Sequence, residues 1–530
     1  MPLPPNAVTA PPAYGTIARH ARPEPRRPAS APPASLVAPA EGALPTVTLA
    51  ALLALAVASG AALIWQVASP QPVRFAGMTI DRLSAALTLL VAAIGAVTYR
   101  FSVRYLDGDP ARGRFLGWMA FTVICADVLM LSSHFLVLMV AWSLTSLGLD
   151  RLLIHYRHRP EAVRAARKKF LISRLGDVAL VAAAAVAWWS WGTLDIPLVI
   201  ERATADPAGG ASSAVSVLVV IAALTKSAQV PFHSWLPETM ESPTPVSALM
   251  HAGIINAGGA LLLRLAPLVA QAPSALLILT AVGTLTATLG IVAMWAQVKV
   301  KRTLAWSTVS QMGFMMVQCG LGAFGAAALH IVAHGCYKAW SFLRSGQLPP
   351  VTGATAPIAP MRALTMVAAG TVIAIPAIWV ASRLVGFAPL HTPGELALTC
   401  IVALSAGQLW GGIVARGARP VARAGVATLV AWVGVGAAIV LYRGAQTFLA
   451  PVIGPIPVSG GAIGWITAAI PVMALVGLTV LHAALPQLAR TPRGRALRVH
   501  ALHGFYGGVV ADRVVDSVWK RFSPQGAHHA

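Results

Sequence analysis

The side chains able to do chemistry in this chain stand where its sequence is least suited to hold charge. Asp127, Arg174, Asp177, Lys226, His251, Arg264, His330, His334 and Lys338 all fall inside apolar runs. A charge at the centre of a bilayer costs about 2.5–3.5 kcal/mol on insertion scales, so such residues face a bundle interior or a wet path. One or two could be structural ion pairs, but a set this large points to an internal polar route. In "LHIVAHGCYKAW", His330, His334 and Lys338 follow one another at i, i+4 and i+8. Each step of four turns a helix by only about 40°, so the three share one face and climb about 12 Å. A stripe of titratable groups on one face is what a proton relay requires. A metal site or helix–helix hydrogen bonding would use the same residue types, but no carboxylate stands near them in sequence to complete a metal site.

A second constellation lies in "ALTKSAQVPFHSWLPETMESPTPVSALMHAG", residues 223–253. Pro231 follows Lys226 closely, and a proline removes a backbone hydrogen bond and breaks or ends a helix. A broken helix inside a bundle opens carbonyls and polar side chains to a cavity. Burial favours the neutral form of a lysine, and a nearby carboxylate favours the charged form. A lysine whose acidic partner can move away is therefore a proton switch. Counted from the inner ends of their runs, Lys226 and Asp177 lie at similar depth, which makes Asp177 the expected partner. Beyond the break, Glu238 and His251 lead onward.

The elements that must hold these groups follow from composition. Hydrophobic residues make up 57% of the chain and charged residues 11%, with a mean hydropathy of +0.72. A soluble domain is about 25% charged, so the chain reads as an all-α polytopic membrane protein. About fourteen runs, from 46–68 to 461–483 and with 170–191, 212–231, 303–321 and 323–346 among them, approach the length that crosses the hydrocarbon. No strand-like alternation appears, which excludes a transmembrane barrel. Residues 1–45, rich in Pro, Ala and Arg, read as a disordered cytoplasmic tail. Residues 46–484 read as the transmembrane domain, and 485–530 as an amphipathic cytoplasmic tail. In that tail, "GFYGGVVADRVVDSVWKRF" sets Val510, Val514, Val515 and Val518 on one side of a helix that lies on the membrane surface, docks a partner or caps the end of the bundle.

The net charge of +22 has a simple source. Basic residues occupy every second link, such as Arg157, Arg159, Arg164, Arg167, Lys168 and Lys169 after the fourth run and Lys299, Lys301 and Arg302 after the eighth. The long alternate link 192–211 instead holds Asp195, Glu201 and Asp206. By the positive-inside rule both termini are cytoplasmic. No basic patch alternates with exposed aromatics, so no nucleic-acid partner is expected. Cys125, Cys319, Cys336 and Cys400 form no C-x-x-C pair. Iron–sulfur and the usual zinc spacings are thereby excluded, and no redox chemistry is expected within the chain.

The stretch "KSAQVPFHSWLPETMESPTPVSALMHAG" resembles the signature of the antiporter-like, proton-translocating subunits of respiratory complex I and of Mrp-type Na⁺/H⁺ antiporters. "KRTLAWSTVSQMGFM" and "HIVAHGCYKAW" are similar to the second half of that family, and "DRLSAALT", "RYLDGDP" and "SRLGDV" to its first half. The resemblance spans residues 75–350. It implies two inverted five-helix repeats, each with a broken helix. It also implies a half-membrane proton path holding Lys226, His251, His330, His334 and Lys338. Asp127, Asp150, Arg174 and Glu238 stand beside this path as secondary candidates.

Two departures matter. The family's Trp-Glu motif, whose glutamate pairs with the broken-helix lysine, reads Trp142–Ser143 here. Asp177 is left as the expected partner of Lys226, with Asp150 as a second candidate. The family's second broken helix carries a lysine after a proline, whereas Pro376 leads to "AIWVASRLVGFAP". With the tail "LRVHALHGFYGGVVADRVVDSVW", this pattern looks like the membrane subunit of two-component inorganic-carbon accumulation systems. The resemblance implies a non-enzymatic subunit of a bacterial inner membrane, embedded in lipid and conducting H⁺ or Na⁺. That flow would drive a large soluble or peripheral carbonic-anhydrase-like partner. Zinc is expected in the partner, with no metal or cofactor in this chain. A proton-pumping subunit of complex I or an Mrp-type antiporter is the alternative, and a membrane anchor with relic polar residues is a third reading.

Overall fold

Apolar residues on nearly every helix face leave the chain one stable arrangement, a bundle that hides its polar groups inside and shows its apolar groups to lipid. The computed structural model describes residues 43–205, 210–347, 358–388, 390–415, 420–456 and 461–522. The expected disordered tail up to residue 42, Asp206 and residues 523–530 lie outside the described residues. Helix α1 (Leu44–Ala68) leads into a hairpin of β1 (Val73–Phe75) and β2 (Met78–Ile80), antiparallel with Val73 opposite Ile80. Ala76 (φ 46°) and Gly77 (φ 73°) occupy the left-handed region that a two-residue hairpin turn demands. The sequence reading contains no strand here, because three-residue strands are too short for alternation to show.

Next come α2 (Arg82–Tyr105), α3 (Arg112–Leu131), α4 (Phe135–Leu153) and α5 (Pro160–Trp191). Asp81 caps α2 reciprocally: its carboxylate accepts from the Ser84 N–H at 2.8 Å, and Ser84 Oγ accepts from the Asp81 N–H at 2.9 Å. Pro160, preorganised for a first turn, starts α5 well before the expected position 170. Lys168 and Lys169 therefore belong to a helix and not to a basic link, and both are buried. The short α6 (Ile196–Ala205) precedes α7 (Gly210–Lys226), which stops at Lys226.

The chain continues through α8 (Trp235–Glu238), α9 (Thr244–Ala252), α10 (Ala257–Arg264) and α11 (Ala266–Val269). Then follow α12 (Pro273–Ala296), α13 (Val300–Gly320), α14 (Phe324–Leu343), α15 (Pro360–Val385), α16 (Pro393–Val414), α17 (Pro420–Ile453) and α18 (Gly461–Leu488). Two further helices, α19 (Pro492–Leu502) and α20 (Gly507–Phe522), close the described chain. Among the described residues, 11 helical stretches are long and apolar enough to cross a membrane, with 244–264 counted as one. The expected spans 212–231, 303–321 and 323–346 fall to α7, α13 and α14. The break at Lys226 shortens α7 to 17 residues, and α13 and α14 reach spanning length but carry too many polar residues to be recognised by hydropathy.

The expected break at Pro376 is not open, since α15 runs on through it. Neighbouring helices can absorb a proline inside a membrane bundle. The second interruption lies instead between α9 and α10, where a 3₁₀ turn spans Ile254–Asn256. One apolar core joins α2–α5, α7 and α9–α14, while α15, α16 and α17 pack around a smaller core of their own. Between α12 and α13 the backbones nearly touch: a Cβ on Gly313 would stand 2.5 Å from the Ala287 nitrogen. Small residues permit such approach where no water drives helices together.

Candidate functional site

The break in α7 is stapled in place. Ala228 is left-handed (φ 50°), and the Gln229 N–H reaches back to Leu224 O at 3.0 Å, turning the chain out of the helix. Neighbours take up the freed groups. Val230 N–H donates to Thr286 Oγ1 of α12 at 3.0 Å, and Ser227 Oγ donates to Ile255 O at 2.8 Å. Gly258 makes the room for this, since a Cβ there would stand 2.4 Å from Ser227 Oγ.

Lys226, only 7% exposed, ends α7 and turns toward α4. Its ammonium donates to Ser146 Oγ at 2.7 Å and to Trp142 O at 3.1 Å, and lies 4.5 Å from the Trp142 ring centre. The ring face attracts the cation as well. Among the described residues no carboxylate pairs with it. The expected partner Asp177 pairs with Arg174 at 2.9 Å, and the second candidate Asp150 pairs with Lys169 at 2.9 Å. The reason is local: a cation three residues back on the same helix surface reaches Asp177 more readily than one across an interface. Ser146 links the two lysines, because its carbonyl accepts from Lys169 Nζ at 2.7 Å. The result is a row of buried Lys226, Ser146 and Lys169 ending at the half-buried Asp150.

On α14 the titratable stripe is one line. His330 Nδ1 lies 2.9 Å from Gln318 Oε1, and the His330 and His334 rings centre 5.7 Å apart. Lys338, fully buried, donates to Leu304 O of α13 at 3.2 Å. One turn further, Phe342 stacks on His251 with ring centres 4.5 Å apart. Gly335 allows that contact, since a Cβ there would meet Ala252 O at 2.8 Å. His251 thus joins the stripe at its Lys338 end. Neither nitrogen of His251 nor Nε2 of His334 has a hydrogen-bond partner among the described residues.

The remaining candidates separate. Asp127 is buried on α3, its carboxylate without a hydrogen-bond partner among the described residues, and no ion pair joins it to either array. Arg264 forms a two-pronged pair with Asp81, which holds the cap of α2 to α10. Glu238 sits at the basic face of the bundle, where Lys168 Nζ contacts both its oxygens at 2.6 and 2.7 Å and Asp512 Oδ1 of α20 at 2.7 Å. Burial pushes the Glu238 carboxyl up from its usual range, against the pull of Lys168. The tail seats closely here: a Cβ on Gly504 would stand 2.5 Å from the Trp306 ring, and one on Gly507 3.1 Å from His233. Of the expected apolar face of α20, Val515 is buried while Val510 and Val514 are exposed.

Sequence reasoning missed Ser146, Lys168, Lys169 and Asp512. Two signals were present. Trp142, Ser146 and Asp150 repeat the i, i+4, i+8 spacing on α4, and Lys169, Ser173 and Asp177 repeat it on α5.

Comparison with known proteins agrees with this architecture. Residues 132–405 match the family described as NADH:quinone oxidoreductase/Mrp antiporter, TM. Residues 75–116 match that described as NADH-Ubiquinone oxidoreductase (complex I), chain 5 N-terminus. The chain is 42% identical over 269 residues to the "Probable inorganic carbon transporter subunit DabB" of Hydrogenovibrio crunogenus, a match covering 50% of this chain and 52% of the relative. It is 33% identical over 449 residues to the "Probable inorganic carbon transporter subunit DabB2" of Halothiobacillus neapolitanus, covering 84% and 80%. The matched stretch thus spans about half the length of the first relative. The solved Mrp complex from Dietzia sp. DQ12-45-1b has a chain similar to this one with a TM-score of 0.51 and 25% identity, over 91% of this chain and 57% of that one. A helix broken beside a buried lysine, and on α14 a stripe of histidines and lysine, thus stand within a sequence and fold of known lineage: the chain belongs to the NADH:quinone oxidoreductase/Mrp antiporter membrane family.

Proposed function

We propose that this chain is the cation-conducting membrane subunit of an inorganic-carbon accumulation complex, and that the cation is H⁺. The observation that carries the reading is the environment of Lys226, an ammonium held deep in the bundle by a hydroxyl, a carbonyl and an indole face. Loss of its proton leaves a neutral amine among neutral groups, with no stranded carboxylate beside it. The carboxylate of Asp150, paired with Lys169 on the far side of Ser146, gives the proton a second resting place. The names of the relatives, probable inorganic carbon transporter subunits, support the substrate class. The partner would be a carbonic-anhydrase-like zinc protein that forms bicarbonate from CO₂, driven by protons falling through this chain. Each proton crossing 100 mV releases about 2.3 kcal/mol for that work. With its basic links on the cytoplasmic side, the chain would sit in a bacterial inner membrane with both termini inside.

The test is bicarbonate uptake in cells that lack carbonic anhydrase and co-express the partner. Lys226→Ala and Lys338→Ala should each abolish uptake, and undiminished uptake in both would sink a conducting role. A second reading, an Mrp-type antiporter subunit, is favoured by the likeness to the Mrp complex. Co-purification of the chain with antiporter or quinone-reducing subunits, and not with a large zinc protein, would select it.

A further inference from the structure

The stripe on α14 has a mouth for which the sequence offers no exit group, since α15 carries no lysine after Pro376. His330 is the stripe's member nearest the face opposite the basic links, because α14 starts from that face. A cavity of about 610 Å³ opens beside it, walled by His330, His334, Gln318 and, across the gap, Tyr442 of α17. A second cavity, of about 540 Å³, opens at the ends of the helices on that same opposite face and holds Glu395, Arg443, Gln446 and Thr467. Tyr442 lines both cavities. Its hydroxyl accepts from Gln446 Nε2 at 2.7 Å, and its ring is fixed edge-on against Phe387, with centres 5.5 Å apart. Glu395 stands in the first turn of α16, its N–H capped by Thr392 Oγ1 at 3.1 Å. Its Oε2 is buried without a hydrogen-bond partner among the described residues.

We propose that protons leave the α14 stripe through Tyr442 and are released at Glu395, in place of the missing lysine of α15. This rests on the proton-conducting reading above. A phenol both donates and accepts, so Tyr442 can take a proton from the His330 side as it gives its own toward Glu395, ending neutral. Each cavity has room for several waters to complete the hydrogen-bonded line, a water in liquid occupying about 30 Å³. Glu395 takes the proton as a carboxylate and returns it to the aqueous face through the cavity it lines.

The test uses the full-length chain in liposomes with a pH-sensitive dye inside and a potassium diffusion potential imposed. Glu395→Gln and Tyr442→Phe should each cut proton flux about a hundredfold, the low end of what one positioned proton-transfer group contributes. Both should melt at the wild-type temperature, and Glu395→Asp should recover flux. Wild-type flux in Glu395→Gln and Tyr442→Phe, with Lys338→Ala inactive, would overturn the exit and leave conduction standing. Should the wild-type chain pass protons no faster than empty liposomes, the exit and the conducting reading both fall.

Discussion

Lys226 owes its place to neutral partners, and that makes Ser146 the residue most exposed to test. Hydrogen bonds to a charged group are worth about 1.5–3 kcal/mol, so Ser146→Ala should lower stability by about that much and slow proton flux. Ser143→Ala, at the position where the family keeps its glutamate, should do neither, because Ser143 bonds neither lysine among the described residues. Flux and thermal melting of the two variants side by side decide the point; equal effects would count against Ser146 as the link. Arg264 makes the opposite case. Its pair with Asp81 is largely buried, and breaking a buried pair by removing one partner costs up to about 3–5 kcal/mol. Arg264→Gln should therefore melt early while the folded fraction conducts normally.

At the scale of elements, close packing fixes the break in α7. Gly258→Val would push a branched side chain into Ser227 Oγ and Ala223 O, and overpacking of this kind costs about 1–3 kcal/mol. Lower stability together with lost flux is expected, whereas lost stability with flux retained would separate the break from conduction. The break itself was legible in the sequence, from Lys226 and Pro231, and so was the stripe on α14, because the spacing of its residues alone defines a face. The partner of Lys226 was not: the sequence points to Asp177, and the ammonium instead meets Ser146 and Trp142. Depth along a helix can be counted from sequence, but rotation about its axis relative to a neighbour cannot, and two residues at one level can face different partners. The row on α4 carries the same spacing but passes through Trp142 and Ser146, which do not titrate, so the spacing marks no stripe of ionisable groups. The start of α5 was marked by Pro160, yet the basic run behind it reads more simply as a link. Pro376 misled in the other direction, since a proline signals a break only where packing does not absorb it.

Across the whole molecule, the polar rows run between a basic face closed by the tail and an opposite face opened by cavities. The tail is tied down where Lys168 sits between Glu238 and Asp512. Asp512→Ala removes one side of that clamp, and trypsin should then cleave the tail near Arg490 and Arg493 faster than in the wild-type chain. Unchanged cleavage would mean that the glycine contacts with Trp306 and His233 hold the tail without the ion pair. The central claim concerns what crosses between the two faces. It is tested most directly by bicarbonate uptake in cells without carbonic anhydrase that carry this chain and its partner, with and without a protonophore. Uptake that collapses both with the protonophore and with Lys226→Ala is the predicted result. Uptake that persists in Lys226→Ala at the wild-type rate would contradict it.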